Sequence, residues 1–198
     1  MTLAAFLSLV TFSFAMAITP GPNNLLLTTS GVAYGFRGTI PAIAGTLMGI
    51  CGLFLVSGAG VGALVAADAR AQAILRLVGA AYLMFLAWRL WRAAELAETE
   101  PTPPLRLWHV AGFQFVNPKA WMMSVSAVSI YVAAGEGYAL RLLSVAAIFI
   151  TVAAPCAVLW AGFGAGMRRA LRDPVRLRLF NRSMAVLTAA SAMLVLLW

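Results

Sequence analysis

Apolar residues run along this chain in long blocks separated by short clusters of charge, without strict alternation. A helix that crosses a bilayer needs about 20 mostly apolar residues. Six blocks approach or exceed that length: Leu3–Val32, Thr39–Ala66, Ala73–Trp91, Val110–Val132, Leu142–Gly166 and Ser183–Trp198. Membrane β-strands would alternate polar and apolar residues in segments of about ten, which these blocks do not do. The pattern predicts an all-α integral membrane protein with six transmembrane helices. The first charge is Arg37, so the opening block is too long for a signal peptide and lacks its basic start.

The clearest polar, proline-rich stretch is Glu95–Pro104, near the middle of the chain. It divides a single transmembrane domain (1–198) into a first half of about 1–94, a linker of about 95–107 and a second half of about 108–198. Three spans per half force the second half to enter the membrane from the opposite face. If the halves are related, they form two inverted three-helix repeats, an arrangement common in secondary transporters. The first span of each half carries matching helix breakers, Thr19-Pro20-Gly21-Pro22-Asn23-Asn24 in span 1 and Asn117-Pro118-Lys119 in span 4. Proline removes a helical hydrogen bond and clashes with the preceding turn, so spans 1 and 4 are expected to be broken. Pro22, with Gly21 before it, and Pro118, with Asn117 as an asparagine cap, each read as a new helix start. Two such starts meeting near the midplane would direct backbone NH groups at one point, a ready site for a carboxylate.

Lys119 is the only lysine in the chain and the only charge between Arg106 and Glu136. It lies 9 residues into span 4, or about 14 Å along a helix. A cation at that depth costs at least ~2.5–3.5 kcal/mol and marks a candidate functional site. No carboxylate falls at a similar depth in any span, so three roles stay open for Lys119. It holds a substrate carboxylate, it carries a proton, or it bonds the carbonyls of a broken helix in a structural role. Gln114, Asn117 and Trp121 share one helical face, which makes Gln114 and Trp121 candidates for the wall of a cavity.

Composition sharpens this picture. Of the 198 residues, 63% are hydrophobic and 10% charged, against about a quarter charged in soluble domains. The net charge of +8 does not point to nucleic acid, because the bases lie at the ends of apolar runs, where lipid headgroups account for them. Arg37, Arg89, Arg92, Arg106, Arg168, Arg169, Arg172, Arg176, Arg178 and Arg182 fall in loops on one side, and Arg70, Arg76 and Arg141 on the other. The positive-inside rule puts the first group in the cytoplasm and both termini in the periplasm. Trp88, Trp91 and Trp108, with Tyr131 and Tyr138, read as interfacial anchors, and His109 as interfacial. Cys51 and Cys156 form no cluster with metal-ligand or redox spacing, and no metal or cofactor is called for. There is no Walker motif, Ser/His/Asp set or HExxH. Gly31/Gly35, Gly45/Gly49, Gly58/Gly62 and Gly162/Gly166 each permit close helix contact. Pro155 is expected to kink span 5.

TPGPNN (Thr19–Asn24), GFRG (Gly35–Gly38), AGTLMG (Ala44–Gly49), GAAYLMFLAW (Gly79–Trp88), FVNPK (Phe115–Lys119) and FNRSMAVL (Phe180–Leu187) occur in this order along nearly the whole chain. In this the sequence resembles the LysE/RhtB amino-acid exporters, and TPGPNN together with QFVN (Gln114–Asn117) is similar to their cysteine/O-acetylserine subgroup. The resemblance implies a bacterial inner-membrane secondary transporter, not an enzyme, that exports a small amino acid or derivative using the proton gradient. It assigns substrate binding to Pro20, Gly21, Pro22, Asn23, Asn117, Pro118 and Lys119. Partners on this reading are the amino acid, protons and membrane lipid, with a homodimer as a candidate assembly. Some relatives carry an acid in span 5 where this chain has Pro155, Cys156 and Ala157, which shifts a proton route towards Lys119 or the substrate itself. Rival readings are a transporter of another solute such as a metal, a membrane enzyme acting on a lipid-linked substrate, and a non-transporting scaffold.

Overall fold

The computed structural model describes residues 1–95 and 106–197, and the described residues are helical throughout apart from short connections. The helices are α1 (Leu3–Ile18), α2 (Pro22–Gly58), α3 (Val61–Ala67), α4 (Ala69–Glu95), α5 (Leu107–Gln114), α6 (Pro118–Tyr131), α7 (Tyr138–Met167) and α8 (Pro174–Leu197). A short 3-10 turn, Ala170–Arg172, precedes α8. Among the described residues, three helices are long and apolar enough to cross a membrane: Pro22–Gly58, Ala69–Arg92 and Tyr138–Met167. Most of the predicted linker, at 96–105, lies outside the described residues, as does Trp198 at the end of the last predicted span.

The predicted span boundaries need two corrections. Span 1 does not end where span 2 begins, because α2 takes the second part of one and most of the other. Within it Gly35 has φ 72° and ψ 175°, a left-handed geometry that suits a residue without Cβ, and the chain turns back there. Span 2 does not run on to Ala66. It stops at Gly58, and Gly60, at φ 95°, starts the separate short helix α3. Asp68 then caps α4, its Oδ1 accepting from the Arg70 amide at 2.7 Å.

Neighbour register gives the direction of each segment. Thr28 donates to the Trp160 carbonyl at 3.4 Å and Gly31 packs on Ala161 and Ala165, so 22–34 runs alongside α7 in the same direction. Phe54 meets Phe149 with ring centroids 5.0 Å apart and Gly58 packs on Leu142, so 36–58 runs against α7. Gly45 rests on Leu107, Gly49 on Gln114 and Ser57 bonds Ser124 at 3.0 Å, which makes α5 and α6 run with 36–58. Helix α1 opposes α6, since Ser8 pairs with Tyr131 at 2.8 Å near one end while Thr19 pairs with Lys119 at the other. Helix α8 packs on α4, with Arg182 stacked on Trp91 at 5.2 Å. The core is apolar, with Phe54, Phe149, Leu9 and Leu53 fully enclosed around α2 and α7.

Close approach follows the glycines only in part. Gly31 and Gly164 bring α2 onto α7 so tightly that a Cβ on either would strike backbone of the other helix. Among the described residues nothing lies within 4 Å of where a Cβ on Gly162 or Gly166 would stand, so that predicted pair makes no close helix contact there. Helical dihedrals persist through Pro155, and no residue of α7 leaves them. Tyr131 and Tyr138, read as anchors, are tied internally, the second donating to the Gly58 carbonyl at 2.7 Å.

Candidate functional site

Both breaks fall where the prolines lie. Thr19 precedes Pro20 and is extended (φ −63°, ψ 135°), as a residue before proline prefers, so α1 stops there. Gly21 and Pro22 then open α2. In the second break α5 ends in a tight turn, with the amides of Phe115, Val116 and Asn117 donating to carbonyls three residues back at 3.1, 3.1 and 3.2 Å. Asn117 is extended and Pro118 opens α6. The asparagine cap expected at Asn117 is absent: the residue holds the cap position, but its side chain makes no capping bond. Its Nδ2 reaches across to Asn23 Oδ1 at 3.3 Å.

The two breaks are joined to each other. Asn23 and fully buried Gln114 exchange amide hydrogen bonds in both directions at 2.9 Å. Lys119 crosses from the start of α6 to the end of α1, its Nζ donating to the Thr19 carbonyl at 3.0 Å and to Thr19 Oγ1 at 2.9 Å. Of the three roles left open for Lys119, these bonds are those of the structural one: both acceptors are oxygens at a helix C-terminus, where the helix dipole favours a cation. Gly21 leaves room for this crossing: a Cβ there would stand 3.0 Å from Nζ, and the lysine would have to shift by a few tenths of an ångström. No carboxylate joins it; the ion pair found among the described residues is Arg176–Asp173, at 3.7 Å in an exposed turn.

Three cavities surround the junction. A small chamber of about 40 Å³ is lined by Asn23, Asn24, Thr46, Asn117 and Lys119. Asn117 Oδ1 and Thr46 Oγ1 are buried there without a hydrogen-bond partner. A cavity of about 490 Å³, which Lys119 also lines, is walled by Pro20, Gly21, Pro22, Pro118 and Trp121, and also by Arg76. A third, of about 180 Å³, extends from Pro22 towards Tyr34, Arg89 and Asn181. The predicted site residues thus divide between the larger cavity and the chamber. Gln114, expected at a cavity wall, lines none of the three and serves as the buried partner of Asn23.

Sequence reasoning passed over three residues. Asn24 donates to the carbonyls of Ala17 and Thr19, both at 2.9 Å, and so serves the open end of α1. Thr19 receives Lys119. Arg76, counted with the loop arginines opposite the basic side, sits inside α4 and faces the larger cavity, bonding Gln72 at 3.3 Å. The available signal was its position inside the predicted span Ala73–Trp91.

A membrane-embedded helical protein with two interrupted helices joined at a polar core has the build of a transporter. The family model for "LysE type translocator" matches residues 14–197, and the chain belongs to that family. It is 30% identical over 161 residues to a cysteine/O-acetylserine efflux protein of Klebsiella pneumoniae, covering 81% of this chain and 82% of the relative. It is 34% identical over 122 residues to the protein of that name from Salmonella typhimurium, covering 62% of this chain and 63% of the relative. The protein of that name from Escherichia coli O6:K15:H31 is 33% identical over 122 residues, with coverage of 62% and 63%. In the last two the matched part is therefore less than two thirds of the relative's length. No solved structure gives a significant match. Family membership makes the chain a transporter, not an enzyme, and the resemblance read from its motifs stands.

Proposed function

We propose that this chain is a secondary transporter that exports a small amino acid or derivative across the bacterial inner membrane, driven by the proton gradient. The six spans form two inverted three-helix repeats, with helices 1 and 4 broken and both termini in the periplasm. The observation that carries this reading is the bridge from Lys119 to Thr19, which ties the break of one half to the break of the other. Neither α2 nor α6 has a side-chain cap at its start, so first-turn amides remain for an anionic ligand. The substrate carboxylate replaces Thr19 on the Lys119 ammonium and takes those amides, drawing on Pro20, Gly21, Pro22, Asn23, Asn117 and Pro118 for shape. The names of the relatives support cysteine or O-acetylserine as cargo.

Pro22 lines both the 490 Å³ and the 180 Å³ cavities, which extend from the junction in opposite directions. That supports alternating access in which the halves rock about the breaks. Arg89, Arg168 and Arg182 all gather at the Gly35 end of the helices, which supports that end as the cytoplasmic one. The test is efflux of cysteine and O-acetylserine from proteoliposomes, with and without a pH gradient. Lys119→Ala should lower the rate at least tenfold at equal reconstituted protein. An unchanged rate defeats the proposal, and a rate indifferent to the gradient removes its proton coupling.

A further inference from the structure

Two oxygens of the small chamber at the junction are left unpaired by the protein. Thr46 and Asn117 line it at 3% and 2% exposure, and neither Thr46 Oγ1 nor Asn117 Oδ1 has a hydrogen-bond partner among the described residues. Orphaned buried acceptors are costly, and most folds avoid them. Of the four buried threonines described, Thr28, Thr39 and Thr188 turn the hydroxyl back to the carbonyl four residues earlier, at 2.8, 2.9 and 2.7 Å, and Thr46 does not. Asn117 is oriented by a chain of amides. Gln114 Nε2 donates to the Val110 carbonyl and to Asn23 Oδ1, and Asn117 Nδ2 donates to the same Asn23 oxygen. The donor arm of Asn117 is thus spent on Asn23 and its acceptor arm is left over. Gly45 and Gly49, on either side of Thr46, seat α2 on the backbone of α5 at Leu107 and Ala111, which fixes the threonine at the junction.

The chamber is matched to a compact donor. Its volume of about 40 Å³ exceeds the roughly 10–15 Å³ that one water needs and is too small for a whole amino acid. Leu27, Met123 and Phe149 make much of the remaining wall apolar. Gly21, Pro22 and Lys119 line both this chamber and the 490 Å³ cavity. No carboxylate lines the chamber, so a bare cation there would face the Lys119 ammonium with no anion between them. An amino acid brings that anion itself, on the carbon that carries its ammonium. We infer, on the export reading above, that Thr46 and Asn117 form the α-ammonium subsite of the same site. Thr46 Oγ1 and Asn117 Oδ1 accept from the cargo ammonium while its carboxylate sits on Lys119 and its side chain extends into the larger cavity. Thr46 is therefore a specificity-determining residue that selects cargo with a free α-amino group.

The test is counterflow of labelled cysteine in reduced proteoliposomes of the full chain, inhibited by unlabelled cysteine or by 3-mercaptopropionate, which is cysteine without its amino group. The ratio of the two half-inhibiting concentrations is independent of how much protein has folded, so a poorly folding variant does not distort it. A site that bonds a substrate NH rejects the analogue lacking it, so wild type should need about tenfold more 3-mercaptopropionate than cysteine, or beyond. Thr46→Val, which removes the hydroxyl and keeps the shape, should shrink that gap to about threefold or less by weakening cysteine alone. Thr46→Ser should restore it. The same comparison of O-acetylserine with 3-acetoxypropionate covers the second cargo. Equal inhibition by the two compounds in wild type overturns the inference and leaves the export proposal standing. A gap that Thr46→Val leaves unchanged does the same, and means that the chamber holds water only. If neither labelled cysteine nor labelled O-acetylserine exchanges, both fall together.

Discussion

The two helix breaks open on prolines but are stabilised in different ways. The second is largely self-contained: three tight backbone bonds close the end of α5, and Trp121 Nε1 donates to the Phe115 carbonyl at 2.9 Å from the next helix in sequence. The first has no such turn. Its carbonyls are served by Asn24 from beyond the break and by Lys119 from the other half of the chain, and Asn23 depends on Gln114. Interrupted backbone is tolerated at membrane depth only where protein or water satisfies it. The first break therefore takes its shape from the second, while the second keeps much of its own. On the proposed binding of cargo at Lys119, taking Nζ away from Thr19 would loosen the first break and leave the second nearly intact, which would put the motion at the α1–α2 junction.

The largest test of this asymmetry is the Asn23–Gln114 exchange. Side-chain hydrogen bonds between membrane helices average about 0.6 kcal/mol and reach about 1.7 kcal/mol. Two bonds at 2.9 Å between one buried pair should therefore give a coupling of about 1–3 kcal/mol. A double-mutant cycle of Asn23→Ala and Gln114→Ala, read by denaturation in mixed micelles, measures it. A coupling near zero would mean that the first break stands without the second.

Asn24 comes next. Its Nδ2 serves two carbonyls at the end of α1, and Asn24→Ala leaves both without that donor, at a cost of about 1–2 kcal/mol. The loss should be local to the first break. Hydrogen exchange should rise at Ala17–Gly21 and remain unchanged at Phe115–Asn117. Equal protection loss at both sites would contradict a self-contained second break.

The location of the breaks was legible in the sequence because proline and glycine act on the backbone they belong to. So were the helical class and the blocks Ala73–Trp91 and Leu142–Gly166, each of which falls within one long apolar helix of its own. The reversal at Gly35 was harder to read, since helical residues continue on both sides and only the left-handed glycine interrupts them. The partners of Lys119 and Gln114 lay beyond reach for a different reason: they are 100 and 91 residues away, and no local pattern encodes such pairing. Arg76 was misread because counting arginines by loop says which end a base is near, not which way a helix turns its face. Asn24 could have been found, as a second asparagine within reach of the carbonyls that Pro20 leaves open.

The smallest expected effect is at Trp121, and it separates two uses of one side chain. The indole closes the second break through its bond to Phe115, and its ring forms part of the wall of the larger cavity. Trp121→Phe removes the donor and keeps most of the ring. Because the three backbone bonds of that turn remain, the stability loss should be only about 0.6–1 kcal/mol. Transport should stay within about twofold if the ring only walls the cavity. A tenfold loss of flux at unchanged stability would place the indole NH on the substrate, and the second break would then move with cargo as the first does.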